Sequence, residues 1–267
     1  MPTRDKFGHA TNIPGIEAEA AAIARFDVRV LLTGESGVGK QTLACAIHEG
    51  SRGASAPLVV ADCAAISDTV FESELLDWQD GDRAHLGWVH NAQGGTLVIR
   101  SIEKMTARKQ SALFRYLDAR TGAAGASGPV SDARLIACGC TTLFSAVESG
   151  RFHSDLFYRL NTVHLHLEPL RQRRSDIPLL FDRFLRQAAD TNGRRPPAIS
   201  TEAMRRLIAY AWPGNVRELR GVADEVAADN ANVIEPRMLP SRIVPEPSGD
   251  EPHSSLRPTN ARVVSSV

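Results

Sequence analysis

Lysine is scarce in this 267-residue chain: it occurs only at positions 6, 40, 104 and 109, and every other basic residue is arginine. A lysine kept at position 40 therefore marks a chemically particular place. Net charge is scarce as well. The 31 basic residues balance 31 acidic ones, so no global field draws the chain to nucleic acid or to an anionic membrane. The cysteines, Cys45, Cys63, Cys138 and Cys140, fit neither a disulfide framework nor metal-ligand spacing. Cys138-Gly139-Cys140 lacks the two-residue spacer of a zinc knuckle, so all four read as small hydrophobes in a reducing compartment. No apolar run is long enough to span a membrane, and Met1 opens no signal-peptide pattern. The cytoplasm is the expected location, with no membrane partner.

What remains is a chain long enough for a main domain and a smaller one. Residues 15–25 (GIEAEAAAIAR) carry strong helix formers, and 28–32 form a short apolar strand. A glycine loop and a helical run over 41–48 come next. Residues 58–61, 96–99 and 134–137 read as further strands, with the helical stretch QSALFRYLDA between the last two. This alternation predicts an α/β fold, a parallel sheet covered by helices on both faces. The segment 122–128 (GAAGASG) reads as a flexible connection. From Arg171 the pattern is helical, with starts at Ser175-Asp176-Ile177-Pro178, at Ser200 or Thr201, and at Gly214-Asn215. The expected organisation is an α/β domain over 1–170, a small helical domain over 171–243 without strands, and a disordered Pro- and Ser-rich tail over 244–267.

Gly34-Glu35-Ser36-Gly37-Val38-Gly39-Lys40 follows a strand and precedes a helix, the context a phosphate-binding loop requires. The glycines let the backbone turn tightly enough to aim successive N–H groups at phosphate oxygens. The following helix adds its N-terminal partial charge, and Lys40 adds a formal one. The hydroxyl that ordinarily follows the lysine and ligates magnesium is missing; Gln41 stands there.

Several segments together resemble the central AAA+ domain of bacterial sigma-54-dependent transcription activators, the enhancer-binding proteins. The glycine loop is similar to that family's GESGTGK, Glu72-Ser73-Glu74-Leu75 to its ESEL, and Ala92-Gln93-Gly94-Gly95-Thr96-Leu97 to its A-x-GGTL. Asp155-Leu156-Phe157-Tyr158-Arg159-Leu160-Asn161 resembles DLYYRLN. Pro169-Leu170-Arg171 and Asp176-Ile177-Pro178 resemble PLR and DIP, and Trp212-Pro213-Gly214-Asn215-Val216-Arg217-Glu218-Leu219 repeats WPGNVREL. The resemblance covers about residues 8–243. It implies an AAA+ P-loop NTPase sheet followed by an all-α lid. It further implies ATP or ADP as cofactor, bound by Gly34, Glu35, Ser36, Gly37, Val38, Gly39, Lys40, Gln41 and the lid's Arg217. In the family, ATP hydrolysis in a ring remodels sigma-54 RNA polymerase.

The departures share a direction. The strand ending at Ile99 presents Arg100 and Ser101 where the family has a metal-binding Asp and a catalytic Glu, and neither residue can replace a carboxylate. Glu103 lies two residues beyond and is not expected to reach the same water. The polymerase-contacting GAFTGA is missing from the shortened segment 76–86. Asp62 and Cys140 replace the family's asparagines. Of the two arginines that reach a neighbouring subunit, one position is His153 and the other keeps Arg159; an arginine finger alone contributes ~1,000-fold or more in rate. No catalytic residue is intact and no metal ligand set remains, which argues against magnesium. The resemblance therefore implies a hydrolysis-defective, ATP-binding regulator, acting as a homo-oligomer or in a mixed ring with active relatives and reaching the sigma-54 polymerase machinery indirectly. Two alternatives stand: an active ATPase with displaced residues such as Glu103, and a nucleotide-free scaffold. The segment after Ile243 is too short and polar for a three-helix DNA reader, so no direct DNA binding is expected.

Arg100 has three readings: an ion pair with Asp62 that fills the metal position, a contact to the outer phosphates, or a solvated strand end. His164 and His166 share one strand face and read as polar sheet surface rather than as a metal pair. Arg171, Arg173 and Arg174 read as a solvated hinge or inter-subunit surface. Trp88 is expected to be buried; Trp78 fits a core or a partner site equally.

Overall fold

The computed structural model describes residues 16–80, 83–119, 132–229 and 231–243. The glycine-rich segment 122–128 and the tail 244–267 lie outside the described residues. The first domain runs α1 (Ile16–Ala24), β1 (Val30–Gly34), α2 (Lys40–Glu49), β2 (Leu58–Asp62), α3 (Phe71–Leu75), β3 (Trp78–Asp80), β4 (Arg83–His85) and α4 (Trp88–Asn91). It continues through β5 (Thr96–Arg100), α5 (Ala107–Ala119), β6 (Arg134–Cys138), α6 (Leu143–Glu148), α7 (Ser154–Leu160) and β7 (Val163–Leu167). After it come α8 (Ile177–Thr191), β8 (Ala198–Ile199), α9 (Thr201–Ala209), α10 (Asn215–Ala228) and β9 (Val233–Ile234).

Five strands form one parallel sheet in the order β2-β5-β6-β1-β7. The period-2 alternation of strands sorts their side chains into two cores. Val30, Leu32, Val98 and Ile136 face α2 through Leu43, Ala44 and Ile47. Leu31, Leu97, Ile99, Leu135 and Ala137 face the opposite layer, built from α3 to α7. The first core does not stop at the sheet. It continues into Leu180, Phe181, Trp212 and Leu219, so the helical domain shares a hydrophobic interior with the face that carries the glycine loop.

Strand β1 begins two residues later than the sequence pattern suggests and ends on Gly34, which is in register with Leu167 of β7. The shortened segment 76–86 contains an unexpected antiparallel pair, β3 and β4. Trp88 is half-buried, its ring edge-on to Phe71 at 5.6 Å. The side chain of Trp78 is outside the described residues. The helical domain contains one strand pair, contrary to expectation: Ala198 and Ile199 run parallel to Val233 and Ile234. Two-residue strands carry no alternation to read, and here they tie the segment before α9 to the one after α10. Ser200 caps α9, its Oγ accepting from the Ala203 N–H.

Candidate functional site

The glycine loop occupies the carboxyl end of β1, beside β6 and β7, where open α/β sheets place their ligands. Gly34, Gly37 and Gly39 have φ of 145°, 79° and 110°, backbone that L side chains rarely adopt. Gly39 caps α2 and, having no side chain, makes no capping bond to the helix's first N–H groups. Val38 turns its side chain into the core, so only its backbone serves the loop. The Lys40 ammonium lies across the loop, donating to the carbonyls of Gly34 at 2.7 Å and Glu35 at 2.8 Å. Burial pulls its pKa below the ordinary lysine value, and the charge of Arg217 adds to this while that of Glu103 opposes it.

The end of β5 decides the chemistry. Arg100 is the register partner of Asp62, and its Nη2 lies 3.2 Å from Asp62 Oδ2. Its Nη1 donates to Gln41 Oε1 at 2.8 Å. One guanidinium thus joins the residue after Lys40 to the ends of two strands. Ser101 follows in the left-handed region, φ 56°. Glu103 turns back toward β6, and its Oε2 accepts the Cys140 N–H at 3.1 Å. Among the described residues no three His, Cys, Asp or Glu side chains are grouped to hold a metal ion. The position where a phosphate loop ordinarily offers magnesium a carboxylate holds the Arg100 guanidinium, bonded to Gln41 and Asp62, so the residues present do not fit that ion.

The helical domain closes over the loop. Arg217 donates its backbone N–H to the Gly37 carbonyl at 3.2 Å and Nη1 to Ser36 Oγ at 3.1 Å. A Cβ on Gly37 would stand 2.2 Å from the Gly214 oxygen, so the two backbones touch. Asn215, fully buried, donates Nδ2 to Glu35 Oε2 and the Ser36 carbonyl and accepts the Leu170 N–H on Oδ1. The basic run at the junction is exposed at Arg171 and Arg174, yet Arg171 and Arg173 are bonded to the loop rather than free in solvent. Arg171 forms a two-pronged ion pair with Glu35, and Arg173 Nη2 donates to the Val38 carbonyl at 2.7 Å. With Arg171 and Asn215 as donors, the Glu35 carboxyl is held down at about 2.

These elements enclose a cavity of about 550 Å³ lined by Ser36, Gly37, Gly39, Lys40, Gln41, Arg100, Ser101 and Arg217 from among the residues proposed from sequence. Arg183 from α8, Arg220 from α10 and Lys104 also line it. Sequence reasoning missed those three. The available signal was spacing: Arg217 and Arg220 fall on one face of a helix whose other face is apolar.

The remaining candidates lie elsewhere. Arg159 pairs with Asp118 and stacks 5.0 Å over the Phe114 ring, and His153 lies tilted against the same ring. His164 Nε2 and His166 Nδ1 both bond Thr33 Oγ1, at 2.8 and 3.1 Å. Cys63 and Cys138 are buried thiols pushed up to about 12 by desolvation, unsuited to nucleophilic or ligand roles. No helix among the described residues is long and apolar enough to cross a membrane.

Residues 7–166 match the sigma-54 interaction domain and residues 171–256 the AAA+ ATPase lid domain. The chain is 37% identical over 266 residues to the transcriptional regulatory protein ZraR of Klebsiella oxytoca, covering 95% of this chain and 60% of ZraR. It is 41% identical over 213 residues to the C4-dicarboxylate transport transcriptional regulatory protein DctD of Rhizobium meliloti strain 1021, covering 77% of this chain and 46% of DctD. The crystal structure of NtrX from Brucella abortus in complex with ADP superposes with a TM-score of 0.79 at 30% identity, covering 90% of this chain and 58% of NtrX. NtrX has also been crystallised with ATP, and that structure superposes with a TM-score of 0.76. The chain thus spans 46–60% of the length of these curated relatives.

Proposed function

The chain belongs to the sigma-54 interaction domain family and carries that family's AAA+ lid, and from this premise we propose that it binds ATP or ADP without turning it over. The observation that carries the reading is the end of β5. Hydrolysis needs a carboxylate to hold the metal and another to draw the proton from water. Here stand a guanidinium already bonded to Asp62 and Gln41, and a serine in left-handed backbone. The carboxylate next along, Glu103, accepts the Cys140 N–H. The binding parts are in place beside these losses: a loop with the required glycine geometry, the start of α2, Lys40 and the lid's Arg217.

A subunit that holds nucleotide without hydrolysing it has its effect through neighbours. The segment 76–86 contains the β3–β4 pair where relatives present the polymerase-contacting loop, so direct action on sigma-54 polymerase is not the output supported. The output supported is a self-assembled ring, or a silent subunit in a ring of active relatives, tuning their ATPase cycle. Arg159 is the residue kept for such an inter-subunit role, although within the chain it is engaged by Asp118.

Equilibrium binding of a fluorescent ATP analogue, run beside phosphate release, tests the proposal. Saturable binding lost in Lys40→Ala, without phosphate release above that variant's background, is the expected result. Phosphate release that Lys40→Ala abolishes would establish an ATPase with displaced residues, and Glu103→Gln would then identify the base. Absence of binding would leave a scaffold. Addition to an active sigma-54 activator module should lower that module's ATPase activity in proportion to the fraction of this chain in the ring.

A further inference from the structure

We propose that this site takes its nucleoside polyphosphate as the metal-free anion, with the Arg100 guanidinium in place of the divalent cation. The proposal rests on the nucleotide-binding reading above and specifies the ionic form of the ligand. Three observations carry it.

The first is the donor set. Phosphate loops ordinarily share magnesium between a hydroxyl after the lysine and a carboxylate on a neighbouring strand. In this chain Arg100 itself stands at the carboxylate position, and the oxygens beside it are committed to its guanidinium: Gln41 Oε1, at the hydroxyl position, accepts from Arg100 Nη1 at 2.8 Å, and Asp62 Oδ2 lies 3.2 Å from Arg100 Nη2. The other Asp62 oxygen accepts the Ala64 N–H at 3.0 Å. A divalent ion would have to displace a permanently charged guanidinium from the Asp62 carboxylate.

The second is spare donor capacity. A guanidinium has five N–H donors in a rigid fork, and these two contacts use one on each of two nitrogens. The Arg100 side chain is 34% exposed and lines the cavity, so its remaining donors are presented to whatever enters. Gln41 and Asp62 fix its orientation, which spares the entropy that a free arginine loses on binding.

The third is charge. Lys40, Arg100, Lys104, Arg183, Arg217 and Arg220 line the cavity, and Glu103 is the acidic side chain among its lining residues. A bare triphosphate carries more negative charge than its magnesium complex. The excess of cationic side chains therefore matches the bare anion better, and magnesium adds a like charge beside Arg100.

Titration of a fluorescent ATP analogue into the whole chain, in EDTA and in excess magnesium, provides the test. The expected result is binding in EDTA at least as tight as in magnesium. Arg100→Ala should weaken the EDTA affinity at least ~10-fold, as the loss of one charge-assisted contact predicts. Arg100→Lys should fall between, because it keeps the charge but not the fork. Arg100→Asp should bind weakly in EDTA and regain affinity on adding magnesium. Thermal unfolding of each variant without nucleotide separates lost binding from lost folding, and Arg100→Lys keeps the test open should Arg100→Asp fail to fold. Binding that EDTA abolishes, or an unchanged EDTA affinity in Arg100→Ala, would overturn the metal-free proposal while leaving nucleotide binding intact. No binding in either condition would overturn the nucleotide-binding reading itself, and this proposal with it.

Discussion

Replacing Asn215 by alanine should loosen the lid from the phosphate loop, and the size of the effect follows from its bonds. Asn215 is fully buried, and its Oδ1 accepts the N–H of Leu170, which is itself fully buried. Truncation leaves that donor unpaired, a cost of about 1–3 kcal/mol. The Nδ2 contacts to Glu35 and the Ser36 carbonyl are lost as well, though Glu35 retains Arg171 and Ser36 borders the cavity, so their share is about 1 kcal/mol. Asn215 also sits at φ 53°, where alanine is disfavoured by roughly 1 kcal/mol relative to glycine. Together these give about 3–5 kcal/mol, or roughly 10 °C in Tm for a chain of this size. Urea unfolding followed by circular dichroism, with Asn215→Gly alongside, separates the parts: glycine loses the same bonds but should recover about 1 kcal/mol of the backbone term. A loss below about 1 kcal/mol in Asn215→Ala, or a glycine variant no more stable than alanine, would refute the claim that this side chain pins the lid.

Three further outcomes follow from the same geometry. Glu35 has its folded pKa depressed to about 2 from an ordinary 4.5, so its contribution is complete above about 4.5 and is lost as pH falls toward 2. Wild-type stability should therefore decline through that window, and Glu35→Gln should be less stable at neutral pH with a flatter acid limb; parallel acid limbs would contradict the pairing. Gly37→Ala puts a Cβ 2.2 Å from the Gly214 oxygen at φ 79°, so it should abolish analogue binding while the α/β core keeps its circular dichroism. Unchanged affinity there would mean that loop and lid do not touch in solution. Lys109, 6% exposed, donates to the Cys63 and Ile66 carbonyls at 3.0 and 2.6 Å, so Lys109→Met should cost about 3 kcal/mol in urea unfolding, whereas a surface lysine would cost almost nothing.

The features legible in sequence were those whose cause is local. Glycines at 34, 37 and 39 announce left-handed backbone, the apolar runs around them announce a buried parallel sheet, and Arg100 announces a lost carboxylate once the family resemblance aligns it. The illegible features depend on partners far along the chain. Arg171 and Arg173 look like a solvated run until Glu35 and Val38 are brought beside them, 136 and 135 residues away. Arg183 and Arg220 sit on amphipathic helices whose period reveals a polar face but not what that face overlooks. The β8–β9 pair was too short to alternate. Of the three readings of Arg100, the geometry realises the bond to Asp62 and adds Gln41, whose tie to a strand 59 residues on has no local signal.

The strand order has a consequence in time. Strand β1 is made early, yet its neighbours β6 and β7 start at residues 134 and 163, and the loop it carries is fastened by Asn215, 180 residues beyond Glu35. A chain emerging from the ribosome thus presents its glycine loop long before it owns the groups that shape it. Contacts of such sequence separation form late and slowly. Pulsed hydrogen exchange during refolding should find the Arg217 amide, bonded to Gly37, protected after the amides of α5, whose partners are local. The nucleotide site would then be among the last parts of the molecule to mature, available only to a chain whose lid has already docked.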